Sequence, residues 1–231
     1  MVADALDRLA VPGEELLRRV DRILARGGVS PESDVAGLLR LVGMLPGEVL
    51  EYGLRLDVGS LQEAARELAG VGDRFRVLPA KLSADVDRSG WQGGGAAAFG
   101  AVWVALADHI GDGGSADSIV GRIDATADYL DAVVDWAAGL RYELAEAVAR
   151  VISSAEAVTV VTAGAGGPGA GGEGEAAGAA GRIAERVLRT AVDALDRADT
   201  LRREWERRLG ELPYRPPEAQ TGAAGVTRVT L

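Results

Sequence analysis

No cysteine occurs in the chain, and its 231 residues include one histidine, His109, and one lysine, Lys81. The first absence excludes disulfides, thiolate metal sites and thiol nucleophiles. With a single imidazole, zinc would need an unusual ligand set, and a Ser-His-Asp triad would depend wholly on His109. Aromatic residues make up only 4 % against a hydrophobic share of 48 %, so a core must be built mainly from Leu, Val, Ile and Ala, which suits packed helices. No apolar run reaches the roughly 18–20 residues that span a bilayer. The start, MVADALDRLAVPGEELL, lacks the basic region and long apolar stretch of a cleavable secretory signal. A formal net charge of −10 disfavours nucleic acid and anionic membranes as principal partners, because repulsion opposes approach to phosphate. The Arg202, Arg203, Arg207 and Arg208 group is interrupted by Glu204 and Glu206, and reads as a solvated, ion-paired face.

What is present is helical periodicity. A first helix is expected over 12–26, with Pro12 in its first turn and Gly27–Gly28 as its stop. A second begins near Asp34, and Pro46–Gly47 break it before one or two further turns over Val49–Leu56. Residues 1–56 are thus expected to form an accessory helical hairpin. From Ser60 the pattern strengthens. Ser60 and Glu63 have capping-box spacing, and Leu61, Ala64, Leu68, Val71, Phe75, Leu78 and Leu82 then recur at steps of three and four. Pro79 interrupts that seam and is expected to kink the helix. A long helix is expected over 116–158, with Leu130, Leu140 and Leu144 in its seam. Residues 163–181, AGAGGPGAGGEGEAAGAAG, have the composition of a flexible linker. A final helix is expected over 182–212 and a disordered tail over 213–231.

Between the two seamed helices lies RSGWQGGGAAAF, residues 88–99. Its position makes it the turn of a helical hairpin. Gly93–Gly95 permit positive φ or close backbone approach, and Ala96–Ala98 keep the next helix thin at its start. That helix carries Ala96, Phe99, Val102, Leu106 and Ile110 on one face, with Trp103 beside it. Trp91 is then the one large group at this end, either a lid on the core or an element standing proud for a partner. The Trp91-Gln-Gly93 turn, the following Ala96, Ala97 and Phe99, and the Leu61/Leu68/Phe75/Leu82 seam before it resemble the WxG family of helical-hairpin proteins. These are export substrates of the type VII secretion pathway. The resemblance covers roughly residues 57–155, and the Ala/Gly/Val/Arg-rich composition suits a GC-rich, actinobacterial genome.

The resemblance implies a composite export signal, a W-x-G turn near a Y-x-x-x-D/E motif that the secretion ATPase reads. Tyr142 and Glu146 match the second half, one helical turn apart. Tyr129 has Val133 at the fourth position and fails, and Pro216 and Pro217 forbid a helix from Tyr214 to Glu218. The chain departs from short members in having an extra N-terminal segment and a long continuation after Tyr142.

Two other motifs carry less. Gly164, Gly166 and Gly169 satisfy G-x-G-x-x-G, but no βα unit surrounds them. Asp108, His109 and Asp112 are sequence neighbours, which on a helix do not face one another. The sequence therefore presents no catalytic constellation, metal site or cofactor. The expected fold is all-α: an elongated antiparallel bundle of four or five helices, with the hairpin core over 57–162 as its spine. The expected packing interface comprises Leu61, Leu68, Phe75, Leu78, Leu82, Phe99, Leu130, Leu140 and Leu144. The expected function is a non-enzymatic type VII secretion substrate or secretion-associated protein, made in the cytoplasm and exported. Self-association or a helical partner, and the secretion ATPase, are its expected partners. The competing expectation is an intracellular homo-oligomeric helical scaffold.

Overall fold

A computed structural model describes residues 4–27, 30, 32–111, 113–163 and 170–212, with the side chains of 170 and 171 excepted. Among these the protein is an all-α bundle without strands. Its eight helices are α1 (Ala5–Gly27), α2 (Asp34–Val42), α3 (Pro46–Arg55), α4 (Val58–Arg88), α5 (Gly94–Ile110), α6 (Ile119–Ile152), α7 (Ala155–Ala163) and α8 (Ala170–Gly210).

Several boundaries differ from those expected, each for a local reason. α1 starts two turns before Pro12, which sits inside the helix. Asp4 and Asp7 cap its start reciprocally, with Asp7 Oδ2 accepting the Asp4 N–H at 3.0 Å and Asp4 Oδ1 the Asp7 N–H at 2.9 Å. Leu6, fully buried, adds tertiary support that outweighs the lost Pro12 donor. Pro46 opens α3 rather than merely ending α2, since a missing N–H costs nothing at the first helical position. Glu48 accepts the Leu45 N–H at 2.7 Å there. The expected Ser60/Glu63 capping box does not form. Asp57 occupies the cap, accepting the Ser60 N–H at 3.1 Å and the Ser60 hydroxyl at 2.7 Å. The expected 116–158 helix is two helices: Ser118, buried, caps α6 by accepting the Gly121 N–H at 3.0 Å. Ser154 then accepts the Ala157 N–H at 3.3 Å and starts α7. The described part of the expected linker, 170–181, is the opening of α8, and Ala176, Ala179 and Ala180 are buried in it. Its small residues allow close helix approach, so burial offsets the poor helix propensity of its glycines.

The chain forms two compact units that interleave in sequence. The first comprises residues 1–62 and 132–203, the second 63–131 and 204–231. In the first unit, Leu6, Leu17 and Leu50 share a core cluster with Leu144, Val148, Ile183 and Leu188. Trp136 Nε1 donates to the Ala194 carbonyl at 2.9 Å, tying α6 to α8. Arg141, buried, fastens three segments at once. Its Nε and Nη2 donate to Asp4 and Asp7, each at 2.7 Å, and its Nη1 to the Gly53 carbonyl at 2.7 Å. Nη1 also approaches the Leu54 and Leu56 carbonyls at 3.2 and 3.3 Å, supplying the donors that the last turn of α3 lacks.

In the second unit, Gly72 brings α4 close to α6, where an added Cβ would lie 3.2 Å from Ile123 Cγ2 and 3.1 Å from Asp124 Oδ1. Arg76 Nη2 closes the contact on both Asp124 oxygens at 2.8 and 2.9 Å. Trp205 is buried, 5.5 Å from the Tyr129 ring, with the Arg208 guanidinium 4.0 Å above it.

Candidate functional site

The site is built on the end of α4, the turn at residues 89–93, and α5. Ser89 and Gly90 end α4, and positive φ values at Gly90 (64°) and Gly93 (96°) reverse the chain. Gly94 and Gly95 are ordinary helical residues, so Gly90 and Gly93 meet the turn's conformational demand. Ser83 on α4 accepts from Trp103 Nε1 on α5 at 2.8 Å, twenty residues apart in sequence. That bond, placed evenly about Gly93, folds α5 back along α4.

Trp91 is 51 % exposed. Its ring sits 5.5 Å from Phe99, tilted at 49°, and Phe99 stacks on Trp103 at 6.2 Å and 4°. The three rings make a ladder, with Trp103 anchored to Ser83 at the base and Trp91 at the outer rung. Phe99 is itself only partly covered, at 37 % exposure. Of the two roles open to Trp91, a lid on the core does not fit this exposure. Trp103 is the member that sequence reasoning left beside the face. Its i,i+4 spacing from Phe99 was the available signal.

The expected packing residues divide. Leu61, Leu68, Phe75, Leu78 and Leu130 are half-buried, Leu82 and Phe99 are exposed, and Leu140 and Leu144 belong to the core of the first unit. The buried residues of α4 are the small ones, Ala65 and Gly72, one heptad apart. Packing through small residues leaves the large seam half open. An open groove of about 830 Å³ results, lined by Ala64, Glu67, Leu68, Gly70, Val71, Arg74 and Leu130.

Tyr142 and Glu146 lie on α6 within the first unit, whereas Trp91 and Gly93 lie in the second. Tyr142 is 63 % exposed, and Glu146 pairs with Arg150 at 3.3 Å. The neighbouring Arg141 pins this turn of α6, so the exposed phenol projects from a fixed backbone. Arg141 escaped sequence reasoning, because nothing in RYELAEAV distinguishes it from the other arginines.

Among the described residues the shifted groups sit in ion pairs, helix caps and the α1–α3 contact. The Arg141 hydrogen bond holds the Asp4 carboxyl below its usual range against the opposing effect of burial. Asp21, on α1, accepts the Gly47 N–H at 3.1 Å, and its burial, aided by nearby Glu48, raises it to about 6. Among the described residues no cluster of His, Cys, Asp or Glu has the grouping to hold a metal ion. No helix among them is long and apolar enough to cross a membrane. Asp112, the 164–169 glycine motif, and Tyr214 with Glu218 lie outside the described residues. No family model, curated protein or solved structure matches the chain.

Proposed function

We propose that the protein is a non-enzymatic recognition protein of the WxG hairpin type, a substrate or associate of type VII secretion. The observation that carries this reading is the half-exposed Trp91 at the α4–α5 turn, backed by Phe99 and Trp103. An exposed tryptophan on a rigid aromatic support is costly to leave in water and well suited to anchoring a partner. Tyr142, exposed on a fixed turn with Glu146 one turn on, serves as the second half of the export signal. The half-open α4 groove and the apolar surface of α5 then meet helices of other chains. The test is export from the native host, quantified in medium and pellet beside a cytosolic lysis marker. Wild type is expected in the medium, and Tyr142→Ala and Glu146→Ala are expected to remain inside. Wild type held in the cell while the secretion system exports other substrates overturns the reading.

The exposed apolar surface of α5 also supports a second reading, a homo-oligomeric helical scaffold that stays in the cell. Under it, wild type is retained and sediments as a large assembly.

A further inference from the structure

The two ends of α3 are held by unlike chemistry. Its last carbonyls sit on Arg141, whose charge is fixed at any physiological pH. Its start rests on Asp21 of α1, whose two oxygens accept the Gly47 N–H at 3.1 and 3.3 Å. The carboxylate fills the space a side chain would take there, since an added Cβ at Gly47 would run into Asp21 Oδ2. Apolar neighbours close the contact: Leu17, Val20 and Leu24 are buried on α1, and Pro46, Val49 and Leu50 on α3.

Unlike Asp4, Asp7 and Asp124, Asp21 has no guanidinium paired with it among the described residues. On its own helix Arg18 turns to Glu14 at 3.8 Å, and Arg22 Nε donates to the Arg18 carbonyl at 3.2 Å. From α3 the charge that acts on it is Glu48, of its own sign. On α7, which also packs on α1, Glu156 pairs with Arg182 at 3.0 Å. The start of a helix favours negative charge, but burial, aided by Glu48, outweighs this and raises the Asp21 carboxyl to about 6.

We propose that this contact is an acid-closed latch: a protonated Asp21 holds the start of α3 on α1, and a charged one lets residues 45–50 lift while Arg141 keeps the far end in place. A neutral carboxyl still accepts the Gly47 N–H through its carbonyl oxygen. It is free of the repulsion from Glu48 and of the penalty for burying a charge. Lifting returns Asp21 to water and uncovers Val49 and Leu50, so pH controls access to an apolar surface of the first unit. The latch goes beyond the recognition reading and does not rest on it. Because the carboxyl's value is raised in the closed form, closure is strongest below 3.8, weakens as pH rises and is lost once pH passes about 6. Solvent reaches part of the carboxyl, so the expected change in opening is about 10- to 100-fold.

Native-state hydrogen exchange on the full chain, corrected for the intrinsic pH dependence of amide exchange, tests the latch. The amides of residues 47–50 are expected to lose about 10- to 100-fold in protection between about pH 4 and 7. They are also expected to open more easily than those of Leu144 and Val148 in the core. Asp21→Asn is expected to abolish the pH dependence and to keep high protection at neutral pH. Gly47→Ala, which drives the carboxylate off the N–H, is expected to abolish the pH dependence and lower protection throughout. Glu48→Gln is expected to keep the dependence with a smaller amplitude. Wild-type protection at 47–50 that does not vary with pH overturns the latch. A pH dependence that survives in Asp21→Asn or Gly47→Ala overturns it too, because another group would then be titrating. Exchange at 47–50 that matches Leu144 and Val148 at every pH also overturns it, since opening would then be unfolding of the whole unit.

Discussion

Arg141 illustrates how one side chain organises the first unit. Its guanidinium serves the capping aspartates of α1 and the last carbonyls of α3 together. Removing it leaves two carboxylates and those carbonyls without their buried donor. Because Asp4 and Asp7 are partly open to solvent, Arg141→Ala is expected to lower the unfolding free energy by about 2–3 kcal/mol, measured by urea denaturation. Arg141→Lys restores charge without the planar fork and is expected to recover only part. Asp4 makes its side of this clasp dependent on pH. Its folded value lies below the unfolded 3.8, so its contribution is present above that value and is lost as pH falls through the folded one. Asp21 has the opposite sign. Because its value rises from 3.8 to about 6 on folding, the native state binds its proton more tightly. Stability from this group is present below 3.8 and is lost as pH rises through about 6. Asp21→Asn retains an acceptor for Gly47 and is expected to stabilise the protein at pH 7.5 by about 1–2 kcal/mol, with solvent screening allowed for. The gain should vanish by about pH 4, and thermal melts across this range measure it.

Among the elements, those with strong period and clear punctuation were legible in the sequence. The α4 seam, the stop at Ser89–Gly90, the turn before α5 and the helical character of α6 all follow from spacing and glycine chemistry. The misreadings arose where local signals competed with packing. Pro12 looked like a helix start, but the buried Leu6 and the Asp4/Asp7 cap extend the helix past it. Ser60 fitted a capping box, yet Asp57 lies nearer the free N–H groups and carries a charge. Ser153 and Ser154 divide the expected long helix without any Gly or Pro to announce it. The glycine-rich residues 170–181 looked unable to pack, because a count of glycines does not show that Ala176, Ala179 and Ala180 meet a ready surface. At the candidate site the Trp91 turn was legible. The Trp103–Ser83 bond was not, since it joins residues on different helices. Because 170–181 is a packed helix and not a linker, its exposed Gly174 and half-buried Gly181 only weaken it. Added Cβ atoms at Gly174 and Gly181 meet nothing within 4 Å. The double variant Gly174→Ala/Gly181→Ala is expected to raise stability by about 1–2 kcal/mol in the same denaturation assay. A flexible linker would show no change.

For the whole molecule, the interleaving of segments matters more than their order. The first unit takes α1 to α3 from one part of the chain and part of α6, all of α7 and most of α8 from another. Leu6, Leu17 and Leu50 share one core with Leu144 and Val148. Deleting residues 1–56 is therefore expected to expose that core rather than release a trimmed hairpin. The truncated chain should bind a hydrophobic dye strongly and lose a cooperative thermal transition, where a dispensable N-terminal segment would leave both unchanged. The aromatic tip at Trp91 belongs to a different economy, because its removal exposes no core. The measurement that separates recognition from packing is Trp91→Ala, assayed for unfolding free energy and for export from the native host in parallel. The expected result is a stability change of about 1 kcal/mol or less, from the lost Phe99 contact, together with loss of the protein from the medium. A variant that is exported like wild type but unfolds several kcal/mol more easily would make Trp91 a structural plug and contradict the proposed function.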